Sequence, residues 1–211
     1  HDVTIGVNKF WNLIGNRNQV AKELAKKFSA LGMKIIVFVE NPAQANSLVK
    51  QLDGEIGLQS YPATLQRKIR SIYEELGNAN CTYIKDEMGA VPHHSLLLPE
   101  ERHVMETLFR GKHDIMVATA TLAQGVNLPV DVVLIAGEDR YDVDKDGRGQ
   151  MDAHEILNAA GRAGRAGFRS QGAAILVSNS VIGIQNNELT DAWFSLKNNI
   201  FSKGDNCLTV N

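Results

Sequence analysis

Apolar residues recur every three or four positions along parts of this chain, and elsewhere they form unbroken runs. Residues 16–32 show the first pattern, with apolar side chains on one face of a predicted helix and lysines on the other. Those apolar positions are Val20, Leu24, Phe28 and Leu31. A glycine ends the stretch, so the pattern predicts a helix that stops at residue 32.

Four further stretches carry helix signals. They are residues 42–52, 63–77, 99–111 and 151–161. Asn41 and Pro42 have the residue types of a helix cap and a first-turn proline. Proline and two acids likewise open the stretch that begins at Pro99, and a glycine closes it, which predicts both of its ends.

The unbroken apolar runs predict strands. They are residues 33–40, 113–121, 130–137 and 172–178, with a weaker candidate at 88–94 that contains a proline. A strand that is apolar at consecutive positions is buried on both faces. Because these strands alternate with the predicted helices, the sequence predicts an α/β fold with a mostly parallel sheet between two helical layers.

The composition fits a globular protein and excludes some partners. The chain has 211 residues, 44% hydrophobic and 22% charged, with a net charge of −2, so any nucleic acid would need a local basic patch. No run is long and apolar enough to cross a bilayer, and we expect no membrane partner. Cys81 and Cys207 match no metal spacing and indicate a reducing setting, cytoplasmic or, in a eukaryote, nuclear.

Three loops have residue types that handle phosphate. Asn41 starts a helix after a strand, where free amides attract anions. Residues 119–129, TATLAQGVNLP, crowd hydroxyls, an amide and a glycine after another strand. Residues 158–167, NAAGRAGRAG, place Arg162 and Arg165 on one face if the helix continues. Since ligands bind beyond the carboxyl ends of parallel strands, we expect all three at that edge of the sheet.

The stretches TATLAQGVNLP and GRAGR resemble motifs V and VI of superfamily-two helicases. Within that superfamily, residues 93–129 are similar to the superkiller-type RNA helicases and the related archaeal repair helicases, and residues 34–49 resemble motif IV. The resemblance covers about 16–178. This chain departs from the family at Ser95 and Leu96, where a glycine is usual, and at Asn158, where glutamine is usual.

The resemblance implies a three-layer RecA-like (P-loop NTPase-type) domain that forms the C-terminal half of a motor driven by ATP and Mg²⁺. The nucleotide would lie in a cleft shared with an N-terminal RecA-like domain of the same protein. Arg165 would be the arginine finger, with Arg162 beside it at the γ-phosphate. The expected nucleotide-contacting residues are Gly125, Asn127, Asn158 and Gly161. The expected contacts to the DNA or RNA backbone are Thr119, Thr121 and Asn41.

The resemblance also divides the chain. Residues 1–15 would be a linker or an upstream remnant, 16–178 the helicase domain, and 179–211 an extension of uncertain role. Because the chain begins with His1, we expect it to be a fragment of a longer protein. No GxxxxGK[ST] occurs in the sequence, so we expect no ATP hydrolysis by this chain alone. The alternative function is a non-catalytic RecA-like module that binds nucleic acid or protein.

Several other patterns imitate sites. Asp86–Glu87 resembles part of a magnesium-binding box, and 142–153 resembles a calcium loop whose twelfth residue is alanine instead of glutamate. His93–His94 resembles a metal pair, but neighbours on a strand point to opposite faces. We therefore predict no metal site held by the chain itself. The aromatic residues Phe10, Trp11 and Trp193 could stack on bases, but core or partner-domain contacts are the favoured interpretation.

Overall fold

The computed structural model describes the central part of the chain and several separate short stretches. These are residues 17–77, 84–85, 87–119, 128, 130–137, 139–142, 147–150, 153–164, 172–178, 184–185, 188–189, 194–195 and 197–198. The helices are α1 (Arg17–Ser29), α2 (Pro42–Ile56), α3 (Ala63–Leu76), α4 (Pro99–Arg110) and α5 (Ala153–Ala160). All five were predicted, with ends that differ by a few residues.

Five parallel strands form the central sheet. They are β1 (Ile35–Val39), β4 (Val91–His93), β5 (Ile115–Thr119), β6 (Val132–Ala136) and β9 (Ala173–Val177), in the order β4-β5-β1-β6-β9. Each corresponds to a predicted strand, including the proline-containing candidate. The α/β class and the parallel sheet are therefore confirmed.

Burial follows the strand order. Every residue of the three central strands β1, β5 and β6 is buried, as their unbroken apolar runs predict. The outer strand β9 differs, because Ala173 and Ala174 are exposed and the rest of the strand is half-buried. The prediction of burial on both faces is wrong for this strand, although β4, at the other end of the sheet, is buried throughout.

The helices form a layer on each face of the sheet. Helices α1 and α2 pack against each other and against the central strands. The crossovers through α4 and α5 run in the opposite direction along the sheet from the crossover that contains α2. Since such crossovers are right-handed, α4 and α5 lie on the other face. This gives the three layers of a RecA-like domain.

Six short strands form three antiparallel pairs that the sequence patterns did not predict. They are β2 (Gln59–Ser60) with β3 (Glu87–Met88), β7 (Asp139–Asp142) with β8 (Gly147–Gln150), and β10 (Ile184–Gln185) with β11 (Glu188–Leu189). The second pair lies between β6 and α5, and its strands overlap the calcium-like stretch 142–153, which a strand precedes and α5 follows. Phe10, Trp11, Trp193 and Asp86 lie outside the described residues. None of the helices described is long and apolar enough to span a membrane.

Candidate nucleotide and nucleic-acid sites at two edges of the sheet

The carboxyl edge of the sheet brings Thr119 and Asn41 together. Val39, the last residue of β1, pairs in register with Thr119, the last residue of β5. Asn41 follows two residues later and starts α2. Two of the three residues predicted to contact the nucleic-acid backbone therefore lie on the same edge: Thr119, which ends β5 and is 6% exposed, and Asn41, which caps the helix after β1. Thr121, the third, lies outside the described residues.

Asn41 is the cap of α2. Its backbone is extended (φ −150°, ψ 165°), and its Oδ1 accepts a hydrogen bond of 2.9 Å from the Gln44 amide. Pro42 occupies the first turn of the helix, where it has no amide hydrogen to leave unpaired. The predicted cap is confirmed. A contact from Asn41 to nucleic acid stays a prediction. Asn41 would have to make this contact while its side-chain oxygen caps α2.

An ion pair that the sequence analysis missed stabilises the same edge. The Glu40 side chain is only 3% exposed. It accepts hydrogen bonds from the Arg17 guanidinium at 2.5 Å and from the side-chain amide of Gln44 at 3.0 Å. Arg17 therefore neutralises a carboxylate that lies directly before Asn41, next to where phosphates are expected. The available signal for this ion pair was an acidic residue, Glu40, directly after an apolar strand. Its partner, Arg17, lies 23 residues away in the sequence.

The paired histidines after β4 are held by two different helices. His93 Nε2 lies 3.1 Å from a carboxylate oxygen of Glu106 in α4, and His94 Nε2 lies 3.0 Å from the Asn46 side-chain oxygen in α2. These helices cover opposite faces of the sheet, which confirms that the two rings point apart. Burial lowers the pKa of both histidines, that of His94 to about 4, with the neighbouring His93 as a smaller cause. They are structural residues at this edge.

The turn that carries Arg162 lies at the opposite edge of the sheet. Helix α5 ends at Ala160, and the Gly164 amide donates a 2.9 Å hydrogen bond to the Val130 carbonyl, just before β6 begins. The prediction of a single phosphate-handling edge is therefore wrong for this turn. The reason is the direction of α5: it runs back from the carboxyl end of β6 to the start of β9. A strand of five residues separates the two edges by about 16 Å.

The residues predicted around the nucleotide are only partly described. Arg162 is half-buried, and Asn158 and Gly161 are exposed at the end of α5. Arg162 and Arg165 were predicted to share a face only if the helix continued through them. Helix α5 ends before Arg162, so this condition is not met. The remaining predicted residues, Gly125, Asn127 and Arg165, lie outside the described residues.

A guanidinium on a turn pinned to the sheet fits the charge of a triphosphate, because it is planar, permanently cationic and donates paired hydrogen bonds. Among the described residues, no group of three or more histidine, cysteine or acidic side chains could hold a metal ion.

Comparison with known proteins identifies this architecture. Residues 64–167, from α3 to the turn after α5, match the family described as the helicase conserved C-terminal domain. The chain carries a superfamily-two helicase C-terminal domain. The relatives that it matches are consistent with the predicted superkiller-type branch.

Three relatives show the extent of the similarity. The RQC trigger complex helicase SLH1 of Saccharomyces cerevisiae is 40% identical over 91 residues, 43% of this chain and 5% of that protein. The U5 small nuclear ribonucleoprotein 200 kDa helicase of Homo sapiens is 39% identical over 92 residues, 43% of this chain and 4% of that protein. Activating signal cointegrator 1 complex subunit 3 of Dictyostelium discoideum is 27% identical over 167 residues, 78% of this chain and 8% of that protein. The chain thus matches only a small part of each.

Proposed function

We propose that this helicase domain is the C-terminal motor half of an ATP-dependent nucleic-acid helicase or translocase. The observation that carries the proposal is the family match over residues 64–167, which includes both β5, ending at Thr119, and the Arg162 turn. ATP hydrolysis would supply the free energy for movement along a strand.

At the amino edge, Arg162 would donate hydrogen bonds to the nucleotide phosphates, and Arg165 would stabilise charge on the transferring group. Such arginine fingers contribute about 10³–10⁵ to the rate in nucleotide hydrolases. Asn158, Gly161, Gly125 and Asn127 would complete the contacts. The N-terminal RecA-like half of the same protein would supply the triphosphate cradle and the Mg²⁺ ligands, so we propose that this chain alone has no ATPase activity.

At the carboxyl edge, Thr119, Thr121 and Asn41 would bind the strand through its phosphates. Contacts of this kind fix position without reading sequence. The two edges are joined by strands whose central residues are fully buried, so the sheet acts as a rigid body between nucleotide and nucleic acid. A closure of the two motor halves around the nucleotide would then move the strand-binding edge as a unit.

The choice between RNA and DNA rests on the relatives alone. One relative is named DExH-box ATP-dependent RNA helicase DExH12 of Arabidopsis thaliana and is 36% identical over 91 residues. This supports RNA as the first track to test. Phosphate contacts do not distinguish the two sugars, and DNA is therefore the parallel substrate in the same experiment.

The experiment is ATP hydrolysis by the full-length gene product, without polymer and with single-stranded RNA or DNA. We expect stimulation by one polymer, and a loss of at least about 100-fold in kcat for Arg162→Ala and for Arg165→Ala. Arg67→Ala, on the exposed face of α3, is the matched control and should leave kcat unchanged. Binding of polymer without any hydrolysis would replace the motor by the non-catalytic module.

A further inference from the structure

A cleft of about 710 Å³ lies between α3 and the short strands β2 and β3, and is here called the α3 cleft. This volume is within the range of about 300–1,000 Å³ that is typical of ligand sites. The strand wall includes Leu58, Tyr61 and Glu87. The helix wall consists of one face of α3, with residues three or four positions apart: Gln66, Ile69, Arg70 and Tyr73.

The two tyrosines of the α3 cleft present ring faces to it, because their hydroxyl groups are engaged elsewhere. Tyr61 donates a 2.6 Å hydrogen bond to the Lys85 carbonyl, and Tyr73 donates a 3.1 Å hydrogen bond to the Ile84 carbonyl. Both rings are therefore fixed to the same short segment of chain. Ile69, which lies between them on the helix wall, is only 3% exposed. A cleft that is already formed lowers the entropic cost of binding.

Leu58 adds an exposed apolar side chain to this surface. It is 52% exposed, although it lies next to the buried ring of Tyr61 in the lining of the cleft. Leaving apolar area in water costs about 25 cal/mol per Å². An apolar side chain of a ligand would remove this area from water by packing between Leu58 and the two rings.

The α3 cleft also contains one cation and one anion that do not pair with each other. Arg70 on the helix wall and Glu87 on the strand wall are both exposed. Neither forms an ion pair with any residue that the structure describes. A guanidinium binds a carboxylate through two parallel hydrogen bonds, so an acidic group fits Arg70. A basic group fits Glu87 for the same reason.

These two charges select the class of ligand. The Glu87 carboxylate repels the phosphates of a nucleic acid. A purely apolar ligand would take both charges out of water without giving either of them a partner. A peptide can supply an acidic, a basic and an apolar side chain on one chain, and it therefore complements the whole cleft.

We propose that the α3 cleft binds a peptide segment of a partner protein in which an apolar side chain lies between an acidic and a basic residue. The acidic residue pairs with Arg70 and the basic residue with Glu87. The apolar side chain covers Leu58 and the faces of Tyr61 and Tyr73.

The α3 cleft is separate from the turn that carries Arg162. Its strand wall leads from Met88 into β4, at one end of the sheet, whereas the Gly164 amide of the Arg162 turn is bonded to Val130 just before β6. Strands β4 and β6 are three positions apart in the sheet, which corresponds to about 14 Å. Peptide binding therefore does not depend on the proposed function.

The test measures binding of a set of fluorescent peptides to the full-length protein by anisotropy. Each peptide contains one glutamate, one leucine and one lysine, in this order or the reverse, separated by zero to three glycines. Both ends are blocked to remove the terminal charges. We expect at least one peptide to bind with a Kd of about 100 μM or below. Replacement of its leucine by glycine should weaken binding about tenfold.

An exchange of charge makes the result specific. Arg70→Glu should weaken binding at least about tenfold, and a peptide with lysine in place of the glutamate should restore it. Arg67→Glu makes the same change of charge on α3 at a position that does not line the cleft, and it should leave the affinity unchanged at physiological salt. Thermal unfolding shows whether each variant remains folded.

A second pair of variants tests the apolar contact. Leu58→Ala should weaken binding about fivefold, because it removes apolar area that the ligand covers. Leu31→Ala removes a side chain that is 71% exposed outside the cleft and should keep the wild-type affinity.

The inference is overturned if no peptide of the set binds the wild-type protein, if Arg67→Glu and Arg70→Glu weaken binding equally, or if the lysine peptide does not bind Arg70→Glu. Single-stranded RNA and DNA are measured in parallel. If they lose affinity in Arg70→Glu and keep it in Arg67→Glu, the α3 cleft is a nucleic-acid site and the peptide is excluded. These results concern binding alone, so they are distinguishable from a failure of ATP hydrolysis.

Discussion

Gly172 lies so close to Gly164 that a Cβ on Gly172 would be 2.1 Å from the Gly164 nitrogen and 2.4 Å from the Ala163 carbonyl carbon. Both neighbouring atoms belong to the backbone, so neither can rotate away. Gly164 itself has φ +67°, a left-handed conformation that side chains rarely adopt. The turn that carries Arg162 is therefore fixed by two glycines from separate parts of the chain.

This contact predicts the effect of Gly172→Ala. The added methyl group must displace the 163–164 backbone, with a loss of about 1–3 kcal/mol in the free energy of unfolding. Arg162 lies one residue before the displaced segment, so we also expect kcat for ATP hydrolysis to fall in the full-length protein. Urea unfolding and polymer-stimulated hydrolysis measure the two effects.

Gly54→Ala is the matched control. Gly54 lies within α2, and a Cβ there meets no atom within 4 Å. Alanine should stabilise this helix by about 0.5–1 kcal/mol and leave hydrolysis unchanged. If Gly172→Ala were as harmless as Gly54→Ala, the close approach at the Arg162 turn would be refuted.

A second prediction concerns Lys34, which closes the end of α4. Its ammonium donates to three carbonyls, those of Phe109 at 2.9 Å, Gly111 at 2.7 Å and His113 at 2.9 Å. The carbonyl end of a helix attracts cations, and all three ammonium hydrogens have a partner. Lys34→Met keeps the length of the stem and removes the donors.

We expect Lys34→Met to lower the free energy of unfolding by about 1–3 kcal/mol, because it leaves carbonyls without their charged donor. Chemical denaturation gives this value directly. Lys50→Met, at an exposed position of α2, should change stability by less than about 0.5 kcal/mol. Equal effects of the two substitutions would show that the three carbonyls do not depend on Lys34.

The main elements of the fold could be predicted from the sequence because each has a strong local signal. The apolar run from Ile35 to Val39 and the proline at the start of α4 are examples. The paired strands Gln59–Ser60 and Glu87–Met88 have only two residues each, too few for any periodicity. Their pairing depends on contacts between distant parts of the chain, which no local pattern encodes.

The site was predicted less well, for two physical reasons. The Arg17–Glu40 pair depends on the packing of α1 over the sheet, which composition and spacing do not reveal. The edge at which Arg162 lies was available from the sequence, because a helix between two parallel strands must run backwards and end where the next strand begins. The presence of phosphate-binding residue types led instead to an assignment of this turn to the carboxyl edge.

A third prediction is a loss of stability in mild acid that depends on His94. Burial lowers its pKa from 6.5 to about 4, so the unfolded chain binds a proton at pH 5 that the folded chain does not. Stability is therefore complete above pH 6.5 and falls as the pH drops towards 4. Between pH 7 and pH 5, His94 alone should contribute a loss of about 2 kcal/mol.

Urea unfolding at pH 7 and at pH 5 tests this expectation. In His94→Gln, which keeps a hydrogen-bonding group near Asn46, the difference between the two pH values should shrink by about 2 kcal/mol. His103→Gln, at an exposed position of α4, should leave the wild-type difference unchanged. Other groups also titrate in this range, and the comparison of variants removes their contribution. An unchanged difference in His94→Gln would contradict the assignment.

The last prediction separates the two roles of Asn41. Its side-chain oxygen caps α2, and aspartate at this position would cap the helix equally well because a carboxylate also accepts the Gln44 amide. Asn41→Ala should therefore cost about 1 kcal/mol of stability, whereas Asn41→Asp should cost almost none. Aspartate adds a negative charge at the edge where phosphates are proposed, so it should weaken binding of single-stranded nucleic acid about tenfold, most strongly at low salt. Binding titrations of the full-length protein at two salt concentrations, together with thermal unfolding, measure both effects. A folded Asn41→Asp variant with wild-type affinity at low salt would show that the strand does not pass this residue.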